Sequence, residues 1–175
     1  MKTLSLPDGK TLLSLEAEAR RQGSGIAPES LQGEWWLDQL WSRQGSEQKT
    51  TACMLRGIGA CLAITVASNT NGDNDLHLRN SVHVGPAVLQ FSGPGLLSGK
   101  RPLLRFRFER MALLWGDREL WHAALPAPTP QRMPFFALIA CEHSGGQGWL
   151  AARGRSGGLA AWRLRPAIRP SAPRD

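Results

Sequence analysis

Strict alternation of apolar and charged side chains is the feature that most constrains this chain. In "LLRFRFER", beginning at residue 103, one parity is apolar, namely Leu104, Phe106 and Phe108. The other parity is charged, namely Arg105, Arg107 and Glu109. Because successive side chains of a strand point to opposite faces, this segment predicts a β-strand with an aromatic inner face and an arginine-bearing outer face.

The same period of two continues through most of the chain after residue 31. In "LQGEWWLDQLW" it places Trp35, Leu37, Gln39 and Trp41 inward, and "IGACLAITVAS" and "DLHLRNSVHVG" alternate likewise around the hairpin-type turn "NTNGDND". "PAVLQFSG", with Phe91 inward, "MALLWGDRELWHA", "FFALIACE", "GWLAAR" and "GLAAWRLR" extend the series to eight or nine short strands. Closure into an antiparallel barrel is the economical way to hide so many strand edges.

A helix and a tail flank the predicted strands. Leu12, Leu15 and Ala19 are spaced as on one helical face, and Gly23 is a typical stop. A chain of 175 residues suits one core. We therefore expect residues 1–30 to form a helix and turn packed on a barrel of residues 31–165, followed by a disordered tail at 166–175.

The net charge of +7 indicates an anionic partner. One basic segment carries four candidates for contact with an anionic surface: Lys100, Arg101, Arg105 and Arg107. Nucleic acid, phospholipid headgroups and acidic proteins all fit such a charge, and so does a merely solvated face. RNA is disfavoured because the aromatic residues of "LLRFRFER" lie opposite its arginines, whereas base stacking needs both exposed together.

No pattern in the chain predicts a catalytic, metal or cofactor site. The three cysteines, at 53, 61 and 141, match no zinc or redox spacing and are expected as reduced, buried small side chains. His77 and His83 are about 20 Å apart along one strand, which is too far to share a metal. The longest apolar run, "FFALIAC", is shorter than the ~18 residues of a membrane helix. With no secretion signal visible, a cytoplasmic or peripheral membrane location is expected.

The first strand pairs with the last in an up-and-down barrel, and this suggests how the barrel closes. Trp35, beside Gly33, would be covered by an arginine of the last two strands, Arg153 ahead of Arg163. Such stacking contributes about 0.5–2 kcal/mol. The alternative is that Trp35 is an ordinary core residue and these arginines are solvated.

Three short patterns resemble the plastid lipid-associated protein, or fibrillin, family. "LQGEWWLDQLW" is similar to the opening of that domain through Leu31, Gly33, Trp35 and Leu37, and "LRNSVHV" resembles an internal strand through Asn80 and Val82. "GWLAARGRSGGLAAW" is similar to its ending through Arg153, Gly154, Gly157 and Leu159. The acidic segment that usually precedes this arginine is replaced by "EHSGGQGW". With no transit peptide visible, the resemblance fits a cyanobacterial-type member or a processed chain.

This resemblance implies a mainly β, lipocalin-like barrel that binds a lipid, carotenoid or quinone without catalysis, peripherally to thylakoids or lipid droplets. The pocket would be lined by inward residues: Trp35, Leu37, Trp41, Asn80, Phe91, Phe106 and Phe108. Alternatively, these bulky side chains fill the interior completely. Asn80 would need a polar ligand head or, as we favour, a neighbouring β-bulge as its partner. Two other functions stay open: a lipocalin-like lyase that delivers a bilin chromophore, and a basic barrel that binds RNA or an acidic protein.

Overall fold

The computed structural model of the chain describes residues 4–68 and 74–165. Its helices are α1 (Gly9–Gln22) and α2 (Lys49–Gly57), and single 3-10 turns span Pro28–Leu31 and Pro130–Arg132. Its strands are β1 (Gly33–Trp41), β2 (Cys61–Ser68), β3 (Asn74–Val84), β4 (Ala87–Ser98), β5 (Leu103–Phe106), β6 (Arg110–Trp115), β7 (Arg118–Ala124), β8 (Phe135–Ser144), β9 (Gln147–Gly154) and β10 (Leu159–Arg165). Most of the predicted turn at 69–75 and the whole predicted tail lie outside the described residues.

Eight antiparallel strands close into a barrel. Going around it, the order is β1, β2, β3, β4, β5, β8, β9, β10 and back to β1. The β1–β10 pairing joins the first strand to the last, and the β3–β4 pairing completes the ring. The prediction of a mainly β, lipocalin-like antiparallel barrel is therefore confirmed.

Strands β6 and β7 form a hairpin that leaves the barrel. One edge of β4 pairs with β5 through residues 95–98 and with β6 through residues 87–92. β5 continues the barrel by pairing with β8, whereas β6 pairs with β7. The sheet therefore splits along β4, which we call the fork. Residues 95–98 of β4 continue the barrel through β5, whereas residues 87–92 carry the β6–β7 hairpin, which we call the extension.

The fork interrupts the segment that was predicted as one strand. β5 ends at Phe106 and β6 begins at Arg110. Between them the backbone stays beside β4 through hydrogen bonds from Arg107 N to Pro94 O (3.1 Å) and from Glu109 N to Ser92 O (2.9 Å). The predicted faces are nevertheless correct: Leu104 and Phe106 are buried in the barrel core, Phe108 packs against that core, and Arg105 and Arg107 are exposed.

A β-bulge in β1 reverses the side-chain alternation predicted there. The pairing of β1 with β10 shifts between Leu37 and Gln39, so one residue is extra. Trp35 and Leu37 face the barrel core as expected, but beyond the bulge Leu40 packs against that core. Trp41 packs with the residues under α1 on the outer surface. The prediction that Trp41 points inward is therefore wrong.

Helix α1 covers the outer face of β8, β9 and β10. The Asp8 side chain caps its start by accepting a hydrogen bond from Thr11 N (2.8 Å), and Gly23 ends it with φ 89°. Its buried face carries Leu12, Glu16 and Ala19. Together with residues of the barrel wall, Leu12 forms a second apolar cluster outside the barrel: Trp41, Ile139, Trp149, Ala151, Leu159 and Ala161.

Helix α2 was not predicted from the sequence. It lies between β1 and β2, with Ala52 buried and Leu55 packed against the barrel core. No side chain caps its first turn, and its first three residues include two β-branched threonines, so local propensity is weak. Backbone hydrogen bonds fix its ends, from Gln48 N to Leu40 O and from Ala60 N to Leu55 O.

The fork generates a prediction about Gly93. A Cβ at this position would overlap the carbonyl oxygen of Arg107. Because this oxygen belongs to the backbone, a change of side-chain rotamer cannot relieve the overlap. We expect Gly93→Ala to lower the free energy of unfolding by about 2–3 kcal/mol, as overpacking does. Urea denaturation measures the change.

The matched control is Gly57→Ala, at the last residue of α2. A Cβ there meets nothing within 4 Å. Because alanine is the better helix former, this variant should be unchanged or up to about 1 kcal/mol more stable. Equal unfolding midpoints for the two variants would contradict the close contact between Gly93 and the backbone carbonyl of Arg107.

Candidate ligand pocket

One end of the barrel interior is open and the other is filled. In the filled half Trp35, Ile64 and Leu78 are almost fully buried. The other half holds a cavity of about 450 Å³. The cavity is bounded by the end of β1, the start of β2, the later part of β3, β5, the start of β10 and Leu55 of α2.

The cavity wall is apolar, and none of the described residues that line it is charged. Much of the wall comes from aromatic and aliphatic side chains, including Leu40, Leu62, Val82, Phe136, Ala160 and Trp162. The polar side chains among its lining residues are few, namely Gln48, Asn80, Ser156 and the thiol of Cys61. Such a composition suits an apolar molecule with one polar end.

Five of the seven predicted lining residues border this cavity: Leu37, Trp41, Asn80, Phe106 and Phe108. Trp41 borders it although its side chain packs in the outer cluster under α1. Trp35 does not, because it lies in the filled half, where its Nε1 donates to Leu31 O (2.7 Å) and its ring meets His143 edge-on. Phe91 does not line the cavity either. It contacts Phe108, with ring centroids 5.7 Å apart, where β4 departs from the barrel.

Asn80 places a polar side chain in the cavity wall. It lies opposite Leu62 on β2 and Phe91 on β4, and both pairings run through it without a shift. The favoured β-bulge beside Asn80 is therefore absent from these two pairings. Its side chain makes no hydrogen bond within the described part of the chain, so the amide can meet a polar ligand head.

The predicted stacking of Arg153 on Trp35 is wrong. Arg153 pairs with Leu159, which in turn lies opposite Trp41. Trp35 is six residues from Trp41 along β1, which is about 20 Å in a strand. The antiparallel register therefore puts Arg153 and Trp35 at opposite ends of the barrel.

Another arginine and another tryptophan make the cation–π contact at the barrel seam. The guanidinium of Arg165 lies 3.7 Å from the ring centre of Trp36 on the outer face. Gly33 allows the seam to close, because it has φ 145° and a Cβ there would meet Leu164 Cδ1 at 2.5 Å. Arg163 binds the Asp38 carboxylate at 3.0 Å.

Arg153 instead anchors α1 through Glu16. Its Nε donates to Glu16 Oε1 (2.7 Å), and its other nitrogens reach Glu16 Oε2 and Gly157 O. Arg20 and Arg101 donate to the same carboxylate at 2.9 and 2.6 Å. Burial opposes the charge of Glu16, but hydrogen bonds and charges from Arg153 and Arg20 outweigh it and lower its pKa to about 2.

The four basic residues predicted to contact an anionic surface do not act alike. Arg101 is bound to Glu16, and Arg107 to Glu109 at 2.7 Å. Lys100 and Arg105 are exposed, and no carboxylate pairs with either in the described structure. Arg101 is therefore part of the α1 anchor rather than a free surface cation.

A cysteine and a histidine that sequence spacing did not connect lie together on β8. Cys141 Sγ is 3.3 Å from His143 Nε2, and both approach Ser30 O, at 3.4 and 2.7 Å. A carbonyl only accepts, so Nε2 carries the hydrogen and is no base for the thiol. Burial raises the pKa of Cys141 to about 12, and the pair fastens the Pro28–Leu31 turn to the barrel.

Two comparisons with known proteins found no match. No protein-family model matches the chain, and no curated protein matches it. No helix in residues 4–68 and 74–165 is long and apolar enough to cross a bilayer. In the same residues, no group of three or more His, Cys, Asp or Glu side chains is arranged to hold a metal ion. Fold and cavity together define a lipocalin-like barrel with an uncharged pocket at one end.

The Glu16 anchor predicts how stability depends on pH. Because the folded pKa is about 2 and the ordinary value is 4.5, the anchor contributes fully above pH 4.5 and is lost as the pH falls towards 2. Glu16→Gln should cost about 2–3 kcal/mol at pH 7, somewhat less than the ~3–5 kcal/mol of a fully buried pair, since Arg20 stays solvated.

Denaturation at pH 7, 4 and 2.5 tests this, with Glu18→Gln on the same helix as the control. Glu18 is exposed and makes no ion pair in the described structure. The Glu16→Gln penalty should shrink as the pH falls, while Glu18→Gln stays within about 0.5 kcal/mol of the parent at each pH. A penalty independent of pH would contradict an ionised Glu16.

Proposed function

We propose that this chain binds a lipid or an isoprenoid, such as a carotenoid or quinone, without catalysis and peripherally to photosynthetic membranes. In this proposal it is a cyanobacterial-type member of the plastid lipid-associated protein, or fibrillin, family. The observation that carries the proposal is the uncharged cavity of about 450 Å³ at one end of the barrel.

The size and chemistry of the cavity set what can enter it. Burying about ten methylenes gains roughly 8 kcal/mol, whereas association costs about 4–15 kcal/mol. Even at the lowest cost the net gain is about 4 kcal/mol, so the apolar contacts alone support binding that is millimolar or weaker. A polar head that hydrogen bonds to Asn80 would add affinity and fix the orientation of the ligand.

The two other functions make different demands on the site. A bilin carries propionates, which arginines bind well, and the cavity wall has no charged side chain among the described residues. An absorption shift on mixing with a bilin would favour the lyase. A steeply salt-dependent affinity for RNA would favour a nucleic-acid role, although Arg101 and Arg107 are already paired with carboxylates.

Filling the cavity tests the proposal, with cis-parinaric acid as a fluorescent apolar probe. Ala160 faces the interior between two residues of the outer cluster, Leu159 and Ala161. Ala160→Phe and, separately, Ala60→Phe should each weaken probe binding at least tenfold, because the ring occupies the probe's volume.

The control is Ala27→Phe, at an exposed position before the Pro28–Leu31 turn. It should leave the probe affinity unchanged, and thermal unfolding checks that all three variants are folded. Probe binding that survives both cavity substitutions, or no binding by the parent chain, counts against the proposal. Mass spectrometry of an organic extract from the native host would then identify the natural ligand.

A further inference from the structure

The apolar inner face of the barrel does not end at the cavity. Directly opposed residues in antiparallel strands share a face. Val82, in the cavity wall, lies opposite Leu89, which lies opposite Leu113, which lies opposite Trp121. One row of apolar side chains thus runs from the cavity across β4, β6 and β7.

A second row at the tip of the extension follows the same face. Val84, Ala87, Trp115 and Arg118 lie opposite one another in turn. We call the two rows beyond Val82 the ramp: Val84, Ala87, Leu89, Leu113, Trp115, Arg118 and Trp121. Trp115 is 57% exposed and Trp121 50% exposed, which is unusual for such large apolar side chains.

The charges of the extension are sorted between its two faces. On the opposite face the Glu119 carboxylate pairs with Arg110 at 2.6 Å and with His122 at 2.7 Å. Arg118 is on the ramp and has no carboxylate partner in the described chain, while Asp117 is in the turn. The charged group of the ramp itself is therefore a cation beside two indoles.

We propose that the ramp docks on an anionic phospholipid bilayer, so that the ligand moves between bilayer and cavity along an apolar surface. Tryptophan favours the depth of the headgroups, and Arg118 with the net charge of +7 is attracted to anionic lipid. This inference rests on the proposed function, since it names the surface through which the apolar ligand arrives.

A second copy of the chain is the competing occupant. β7 pairs only with β6 among the described strands, so its other edge is open to strand pairing. A face-to-face pair of ramps, however, would enclose two Arg118 side chains, without a carboxylate partner among the described residues, in one apolar interface. Charge complementarity therefore favours an anionic surface over self-association.

Vesicle flotation tests the inference with the full chain. The parent chain should float with vesicles of equal phosphatidylcholine and phosphatidylglycerol, and much less with pure phosphatidylcholine. The double variant Trp115→Ser/Trp121→Ser should bind at least tenfold more weakly. Arg118→Ser should remove most of the preference for phosphatidylglycerol. Leu96→Ser is the matched control, because Leu96 is 58% exposed on the outer face of β4, and it should bind like the parent.

Fluorescence separates ramp insertion from other contacts. Lipids brominated near the headgroup should quench part of the parent's tryptophan emission, and the double variant should lose that part. Unchanged vesicle binding by the double variant, or no binding by the parent, overturns the inference. It is equally overturned if the parent sediments as a dimer that the double variant converts to a monomer.

Probe binding in lipid-free buffer keeps the two proposals apart. Trp115 and Trp121 do not line the cavity. The double variant should therefore bind cis-parinaric acid within about twofold of the parent. If the parent chain does not bind the probe, the proposed ligand function is wrong, and the vesicle assay still decides separately whether the ramp binds a bilayer.

Discussion

The arrangement of the strands depends on the backbone hydrogen bonds of one long strand, β4. β4 has twelve residues, and the barrel wall uses only residues 95–98 of one edge, where β5 pairs. The remaining backbone groups of that edge need partners, and β6 supplies them through residues 87–92. Because β5 turns into the barrel and β6 away from it, the chain must pass between them close to β4, and only glycine fits at position 93. The fork, the open end of the barrel and the projecting hairpin follow from this pairing.

The two halves of the barrel differ because different side chains point into them. Trp35, Leu78 and Leu138 fill one end almost without exposed surface. At the other end the bulge in β1 turns Trp41 outward and Leu40 inward, exchanging a large indole for a smaller side chain. Trp41 then helps to hold α1 on the outside, where Glu16 and Arg153 fix the helix to the end of β9. The one extra residue of the bulge thus contributes both to the cavity inside the barrel and to the packing of α1 on its outer face.

The alternation in the sequence predicted the barrel and the correct faces of "LLRFRFER", because half-buried strands must repeat every two residues. It did not predict the bulge at β1, since an extra residue leaves no local signature there, and Trp41 was assigned to the wrong side. The partner of Arg153 depends on the register of the strands, because that register brings Arg153 into contact with Glu16, 137 positions earlier in the chain. A signal for it was nevertheless present: Glu16 interrupts the apolar face of α1 between Leu12 and Ala19, and a buried carboxylate requires a cation. The ramp required knowledge of which strands pair, because no single segment of the sequence contains it.

The central claim is that an apolar molecule occupies the open half of the barrel rather than the packed cluster under α1. A fatty acid that carries a nitroxide near its methyl end broadens the NMR signals of nearby methyl groups. With the label bound, the methyl signals of Leu40 and Val82, which line the cavity, should broaden strongly, and that of Ile139, under α1, should broaden much less. Reduction of the nitroxide should restore the signals. Broadening of Ile139 to the same extent, or sharp signals from Leu40 and Val82 at saturating label, would contradict the account.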